Sequence, residues 1–250
     1  MPYVDTNGIS SYYDVTGAGA PVVFLHGGFC SAEVMRELSQ QLTGYAVHAP
    51  ERAAHGRTAD RPGPFHYDAG VADTLALMDA VGLGSAHIVG FSDGADIGML
   101  LALEHPDRVL SLAHISGNLR PGDDVYRPDA IMPADQLELI AREYAELSPD
   151  GADHFADVEK RLLEMWNTEP NIDPASLGAL GMPVLVMAGD GDVIAPDHTA
   201  LIHRSIPGSQ LAIVPGTTHM LIREKPALVG ALLQAFLDES SVDGAATPRA

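Results

Sequence analysis

Short apolar runs alternate with helical patterns along most of the chain, and this alternation constrains the fold more than any other feature. Each run is bounded by glycine, proline or polar turn residues, as is typical of buried strands. The runs are PVVFLHGG (21–28), YAVHAPE (45–51), AHIVGFS (86–92), VLSLAHISG (109–117), PVLVMAGD (183–190) and QLAIVPG (210–216). Strands separated by helices form parallel sheets. The sequence therefore predicts an α/β fold with a mostly parallel sheet flanked by helices.

One interval between these runs is too long for a loop. More than sixty residues separate the run that ends at Gly117 from the run that begins at Pro183. Within that interval, ADQLELIAREYAEL and HFADVEKRLLEMW carry apolar residues at helical spacing. We therefore expect an α/β core and a helical cap, followed by a flexible tail of small and polar residues. The expected core covers residues 1–118 and 181–240, the cap residues 119–180, and the tail residues 241–250.

Charge and cysteine content exclude several classes of protein. The 250 residues carry a formal net charge of −20, which repels phosphate backbones and anionic lipid, so we expect no nucleic-acid or membrane partner. Cys30 is the only cysteine, which excludes an internal disulfide, and we expect it to fill buried space. Without a long apolar segment or a leader pattern, the expected location is cytoplasmic. Oligomeric state stays open, a homodimer included.

The stretch GFSDG, residues 90–94, follows an apolar run and leads into a helical pattern. A serine in such a strand-to-helix turn occupies a strained backbone position, and glycines flank it because a Cβ would crowd the turn. The hydroxyl then projects from the carboxyl end of the strand, above the N-terminus of the helix. This context predicts that Ser92 is a nucleophile.

A serine nucleophile needs a histidine base, and the histidine needs an acid that fixes its tautomer. With this order of elements, the acid is expected after a late strand and the histidine after the last one. AGDGD supplies Asp192 and PGTTH supplies His219. Asp190 competes for the acid role, although an aspartate at a strand end also often bonds the backbone of a turn. Asp123 and Asp124, shortly after the fourth run, are further alternatives.

Acyl transfer also needs donors for the oxyanion of the tetrahedral intermediate. These are usually the amide after the nucleophile and an amide from a loop after an early strand. The backbone amides of Asp93 and Gly28 fit these places, and Phe29 is the next candidate if the register slips by one residue. His26 stands at the strand end, where we expect it to fix the loop by a hydrogen bond rather than act as a base.

The remaining histidines do not suggest a metal site. His105, His198 and His203 lie on helices or near surface turns and are expected to be solvated, whereas His87 and His114 lie in strand patterns and are expected in the core. The spacing from His198 to His203 fits no common pair of ligands on one helix face. Since the chemistry above requires no cofactor, we expect neither a metal nor an organic cofactor.

The motifs LHGGF, HAPERAAHGRT, GFSDG, AGDGD and PGTTH, in this order and spacing, resemble the α/β-hydrolase fold superfamily over residues 5–238. This resemblance implies an eight-stranded, mostly parallel sheet, a helical cap after the sixth strand, and a site between cap and sheet. Serine at the elbow argues against the epoxide hydrolase and haloalkane dehalogenase branches, which carry aspartate there. RAAHG replaces the frequent ARGHG, and Ala95 stands where a second glycine is common, so the match to any close subfamily is weaker.

The Ser-Asp-Gly elbow is similar to that of biphenyl hydrolase-like esterases, in which the acid after the nucleophile can meet a substrate amino group. The resemblance implies this role for Asp93, together with Asp96 one helical turn later. Alternatively, both carboxylates simply favour the positive N-terminus of the helix. Phe29, Asn118 and Trp166 are further candidates for binding substrate, although an aromatic residue such as Trp166 at the end of a cap helix more often serves packing and can serve both.

These features together predict a serine hydrolase that cleaves a carboxylic ester, lactone or related acyl bond of a small molecule through an acyl-enzyme on Ser92. Two alternatives stay open. The first is a ligand receptor that keeps the fold without turnover, and the second is a cofactor-free lyase or acyltransferase that uses the same residues. Substrate identity is expected to depend on the cap.

Overall fold

The structure is a computed structural model that describes residues 2–129 and 133–243. Its eight strands form one sheet in the order β1-β2-β4-β3-β5-β6-β7-β8. The strands are β1 (Tyr3–Thr6), β2 (Ile9–Gly17), β3 (Ala20–Leu25), β4 (Tyr45–Pro50), β5 (Ala86–Phe91), β6 (Val109–Ile115), β7 (Val184–Gly189) and β8 (Gln210–Val214). Strand β2 is antiparallel to both of its neighbours, β1 and β4. The other five neighbouring pairs in this order, from β4-β3 to β7-β8, are parallel. The predicted α/β fold with a mostly parallel, eight-stranded sheet is confirmed.

Helices connect the strands and cover both faces of the sheet. They are α1 (Arg36–Gln41), α2 (Tyr67–Ala80), α3 (Asp93–Glu104), α4 (Ala134–Leu147), α5 (Phe155–Trp166), α6 (Pro196–Ser205), α7 (Leu221–Glu224) and α8 (Pro226–Asp243). Short 3-10 helices cover Ala32–Met35, Pro106–Arg108, Ala152–His154 and Pro174–Ala179. Every helix in the described residues is too short or too polar to span a membrane.

Alternate residues of a strand face opposite sides of the sheet. On β3, Val23 and Leu25 lie in one apolar cluster, and Val22 and Phe24 lie in the other. Helices α2, α3 and α6 contribute to the first cluster, and α1 and α8 contribute to the second. Because both faces are buried, the strands appear in the sequence as continuous apolar runs rather than alternating ones.

Helices α4 and α5 lie between β6 and β7 and coincide with the two helical patterns noted in this interval. Val158, Leu162 and Met165 recur on one face of α5 and pack into the same apolar cluster as α3. Helix α4 buries Ile140 and Tyr144. The contacts of α5 with the core thus hold this pair of helices over the carboxyl edge of the sheet, where a cavity opens beneath them.

The C-terminal helix extends beyond the expected start of the tail. Helix α8 ends at Asp243, so residues 241–243 are helical, and the rest of the expected tail lies outside the described residues. The Ser241 hydroxyl donates to the Leu237 carbonyl oxygen at 2.9 Å, and the Tyr45 hydroxyl contacts Ser241 at 3.3 Å. The Ser241 hydroxyl is thus satisfied within the helix and by Tyr45, which the composition of the segment does not reveal.

Candidate active site

Ser92 stands on the sharp turn between β5 and α3. Its φ is +54°, in the left-handed region that residues with a side chain rarely adopt. A Cβ at Gly90 would overlap the Gly94 carbonyl, and a Cβ at Gly94 would overlap the Leu25 carbonyl. The flanking glycines are therefore needed sterically, as the sequence predicts, and the Ser92 side chain faces a cavity.

Three side chains from the ends of different strands meet beside this turn. His219 Nε2 lies 3.0 Å from Ser92 Oγ, and His219 Nδ1 lies 2.7 Å from Asp192 Oδ1. Since the Asp192 carboxylate can only accept, Nδ1 carries the proton and donates, which leaves Nε2 free to accept the serine proton. Asp192 and His219 are both buried. The geometry is that of a nucleophile, a base and an orienting acid.

Ser116, which the sequence analysis did not identify, supports the acid. Its hydroxyl donates to Asp192 Oδ2 at 2.5 Å, and the Ile194 amide donates to Oδ1 at 3.1 Å. Ser116 follows β6 and has a φ of +55°, so its side chain is aimed by a strained turn, like that of Ser92. No local motif surrounds it, because its partner is 76 residues away in the chain.

Burial and mutual pairing shift the pKa values of Asp192 and His219 in opposite directions. Burial alone raises the pKa of Asp192, but the charge and hydrogen bond of His219, together with the Ser116 and Ile194 donors, lower it below its usual range. Burial alone lowers the pKa of His219, but the Asp192 charge and hydrogen bond raise it above 6.5. The acid thus stays ionised at neutral pH, and the base loses its proton only at a higher pH than a free imidazole.

The competing carboxylates have other partners. Asp190 accepts the Thr217 amide at 3.1 Å, and hydrogen bonds from the Gly216 and Thr217 amides lower its pKa. It therefore fixes the turn that precedes His219. Asp124 is exposed and forms an ion pair with Arg120 at 2.5 Å.

The loop after β3 passes directly beside the serine. A Cβ at Gly27 would lie 3.0 Å from the Ser92 Cβ, which brings the next amide, that of Gly28, close to the nucleophile. The Asp93 amide lies at the N-terminus of α3, where no carbonyl of the helix can accept a hydrogen bond from it. Within the described residues, neither the Gly28 nor the Asp93 amide has a hydrogen-bond acceptor. Both predicted oxyanion donors are thus unengaged.

A cavity of about 400 Å³ lies between this loop cluster and helices α4 and α5. The four predicted substrate-binding residues, Phe29, Asp93, Asn118 and Trp166, all line it. Most of the remaining lining is apolar: Phe91, Tyr126, Leu137, Ile140, Leu163, Val193, Ile194 and Met220. The Phe29 and Trp166 rings meet edge to face at 5.3 Å. The volume and the apolar lining are typical of a small-molecule site.

The Asp93 carboxylate is engaged by three protein donors. Arg52 Nη2 lies 3.0 Å from Oδ2, and the Tyr67 hydroxyl and the Trp166 indole N–H donate to Oδ1 at 3.1 and 2.7 Å. Asp96 lies fully buried outside the cavity lining, where it accepts the Asn118 amide at 2.8 Å. Burial raises its pKa well above the usual range. Asp96 is therefore not placed to meet a substrate amino group.

The histidine expectations were partly wrong. His26 Nδ1 donates to the Gly27 carbonyl at 2.8 Å and Nε2 accepts the Arg52 amide at 3.1 Å, which fixes the loop as expected. Burial and the Arg52 charge lower the pKa of His26 to about 3. His198 was expected to be solvated but is buried, and its Nε2 accepts the Leu119 amide at 3.0 Å. The reason is that it lies on the inner face of α6, against the loop after β6.

One group of potential metal ligands occurs among the described residues. Single ligand atoms of Asp60, His154 and Asp157 lie within 4.8 Å of one another. The Arg161 guanidinium forms ion pairs with both carboxylates, at 2.9 Å in the case of Asp157. Because the Arg161 guanidinium already neutralises the two carboxylates, this group connects α5 to the loop after β4.

Comparisons with known proteins agree with this fold. Residues 20–165 match the family model described as alpha/beta hydrolase fold. The putative carbamate hydrolase RutD of Azorhizobium caulinodans is 27% identical, over 96% of this chain and 99% of its own length. The human serine hydrolase BPHL is 26% identical, over 87% of this chain and 79% of its own. The crystal structure of the enol-lactonase from Burkholderia xenovorans LB400 is similar in fold, with a TM-score of 0.78 at 20% identity, covering 95% of this chain and all of the lactonase.

Proposed function

Because the chain belongs to the alpha/beta hydrolase fold family, we propose that it is a serine hydrolase that cleaves a carboxylic ester, lactone or related acyl bond of a small molecule. The observation that carries this proposal is the continuous line of hydrogen bonds from Ser92 through His219 to Asp192. The fold alone would allow a binding protein, but a histidine poised to accept the serine proton has little use without covalent chemistry.

In the first half of the reaction, His219 Nε2 removes the Ser92 proton as Oγ attacks the carbonyl carbon. The Asp192 carboxylate holds the imidazole in the required tautomer and stabilises the imidazolium that forms. The oxyanion is then stabilised by the unengaged amides of Gly28 and Asp93. When the tetrahedral intermediate collapses, the imidazolium donates its proton to the leaving oxygen, and the acyl group stays on Ser92.

In the second half, water hydrolyses the acyl-enzyme. His219 removes a proton from that water, and the resulting oxyanion uses the same two amides. The imidazolium then returns the proton to Ser92 Oγ as the carboxylic acid leaves. We further propose that residues 119–180 act as the cap that selects the acyl group, because α4 and α5 of this segment provide an apolar wall of the cavity.

The relatives support the coarser part of this proposal, a hydrolase of acyl or amide bonds in small molecules. One relative is named a putative carbamate hydrolase, and another is named a serine hydrolase. The similarity to the enol-lactonase concerns the fold alone. A carbamate carbonyl would use the same nucleophile and donors, so carbamates should be assayed as substrates beside esters and lactones.

The test is covalent labelling of the folded protein with a fluorophosphonate, followed by intact and peptide mass spectrometry. We expect one adduct, on Ser92, which His219→Ala nearly abolishes. His105→Ala, which changes a histidine at the end of α3, serves as the matched control and should label like wild type. An adduct should be accompanied by multiple turnover of p-nitrophenyl acetate.

Three other results would contradict the proposal. Ligand binding without an adduct or product would favour a receptor. Transfer of the acyl group to an added alcohol in preference to water would favour an acyltransferase. Labelling of wild type and His219→Ala at equal rates would show that the serine is not activated by this histidine.

A further inference from the structure

The Asp93 carboxylate lies beside the nucleophile and looks like a site for a cationic substrate, yet its surroundings oppose that reading. Arg52 approaches it to 3.0 Å, and the exposed fractions of the two side chains are 15% for Arg52 and 3% for Asp93. A substrate ammonium that reached Asp93 would also lie within a few ångströms of the guanidinium. In this poorly solvated position the repulsion from Arg52 offsets the attraction to Asp93.

The other ionisable groups of the cavity wall are uncharged near neutral pH, His219 apart. Burial raises the pKa of Cys30 to about 12 and that of Tyr126 to about 12. Burial, with the nearby Asp93 charge, raises the pKa of Tyr67 well above 10. Among the described residues that line the cavity there is no lysine or arginine to pair with a substrate anion.

The Asp93 carboxylate instead connects three parts of the protein. Its donors come from the loop after β4, the first residue of α2 and the last residue of α5. The bond to Trp166 holds that ring against the loop after β3, so closely that a Cβ at Gly28 would overlap the indole. Asp93 thereby fixes the cavity wall beside the predicted oxyanion donors.

We propose that the cavity selects uncharged acyl groups, because Arg52 neutralises Asp93 and Asp93 serves to position Trp166 rather than to bind a substrate cation. This inference rests on the proposed function and specifies its substrate class. It departs from the role implied by the similarity to biphenyl hydrolase-like esterases. In this chain Arg52 opposes that role, through a contact with Asp93 that joins residues 41 positions apart.

The test compares two substrates of equal shape. They are the p-nitrophenyl esters of γ-(trimethylammonio)butanoate and of its carbon isostere, in which tert-butyl replaces trimethylammonium. Each kcat/KM is divided by the rate constant of hydroxide-catalysed hydrolysis, which corrects for the intrinsic reactivity of the ester. We expect wild type to prefer the uncharged ester by about 100-fold, since the cation loses water without gaining an uncompensated carboxylate as a partner. Equal rates, or preference for the cationic ester, would overturn the proposal.

Two variants test the origin of this preference. Arg52→Met leaves the Asp93 charge uncompensated and should shift the ratio toward the cationic ester by about 10-fold or more. Asp93→Asn keeps an oxygen that accepts from Trp166 but leaves Arg52 uncompensated, so the ratio should shift the other way. Arg108→Met removes a distant arginine that pairs with Asp79 and should leave the ratio unchanged.

The outcomes separate this inference from the proposed function. A folded Arg52→Met protein with the wild-type ratio would refute neutralisation by Arg52, even if hydrolysis and the Ser92 adduct persist. If circular dichroism shows that Arg52→Met does not fold, the proposal is still tested by the ratio of the two esters in wild type and by its shift in Asp93→Asn. Absence of both the adduct and any ester hydrolysis in wild type would refute the serine hydrolase itself.

Discussion

The cavity has two walls that are built in different ways. At the carboxyl edge of the sheet, backbone geometry places the polar groups: Ser92 and Ser116 both have φ near +55°, and glycines flank Ser92 because nothing larger fits. On the opposite side, α4 and α5 contribute the apolar residues Leu137, Ile140 and Leu163. Their positions depend on side-chain packing, which tolerates substitution of similar volume.

Because the two walls are built differently, substitutions in each should have different effects on catalysis and on substrate selectivity. A substitution at the sheet edge should affect every substrate equally, because it alters the groups that contact the reacting atoms. A substitution on α4 or α5 should affect substrates according to size. Three substitutions and one pH profile can test this division between the two walls.

Ser92→Ala should reduce kcat/KM for p-nitrophenyl acetate by about 10⁴-fold or more, because no acyl-enzyme can form without the hydroxyl. The reduction should be the same for longer acyl esters. Initial rates across a series of chain lengths measure it, with circular dichroism to confirm folding. Residual activity above about 1% of wild type would show that another group is the nucleophile.

Asp192→Asn should reduce kcat/KM by about 10³–10⁴-fold, because the amide favours the wrong imidazole tautomer and cannot stabilise the imidazolium. Asp190→Asn is the matched control, since its side-chain oxygen can still accept from Thr217. It should change the rate by no more than about threefold. Similar losses in the two variants would mean that the acid has been wrongly chosen.

The pH profile of kcat/KM should fall on the acidic side, about tenfold per pH unit below the His219 pKa. That pKa is raised above 6.5, and the base works only when neutral, so the fall should begin above pH 6.5. Stopped assays between about pH 5 and about pH 9 can locate the midpoint of this fall. In Asp192→Asn the midpoint should move to lower pH, because the charge that raises the pKa is gone. A midpoint below that of free imidazole in wild type would contradict the pairing.

Leu163→Ala should have the smallest effect, about tenfold in kcat/KM for long acyl esters and little for acetate. The residue lines the cavity and is 47% exposed, so its truncation should not impair folding. Leu228→Ala removes a leucine of similar exposure on α8, away from the site, and should leave both rates unchanged. An equal loss for acetate and long esters would break the division between the two walls.

The polar wall could largely be anticipated from the sequence because each group stands in a local motif at the end of a strand. Ser92, Asp192 and His219 follow β5, β7 and β8, and parallel strands bring their carboxyl ends to one edge. The order of the elements therefore placed these side chains together before any distance was known.

The partners of these groups could not be anticipated. Ser116 is one of many serines, and only the neighbouring positions of β6 and β7 in the sheet bring it to Asp192. Arg52 looked like part of a loop motif, and its pairing with Asp93 depends on side-chain reach across the site. His198 was misjudged because helical position alone does not tell which face is covered.

Asp93 joins the two walls of the cavity. Its carboxylate bonds Trp166 on α5, while its backbone amide is one of the two donors proposed for the oxyanion. An acyl group too large for the cavity would push α5 outward and strain the bond to the residue that supplies this donor. Discrimination against bulky substrates would then appear as slower turnover of the fully bound complex, and not only as weaker binding.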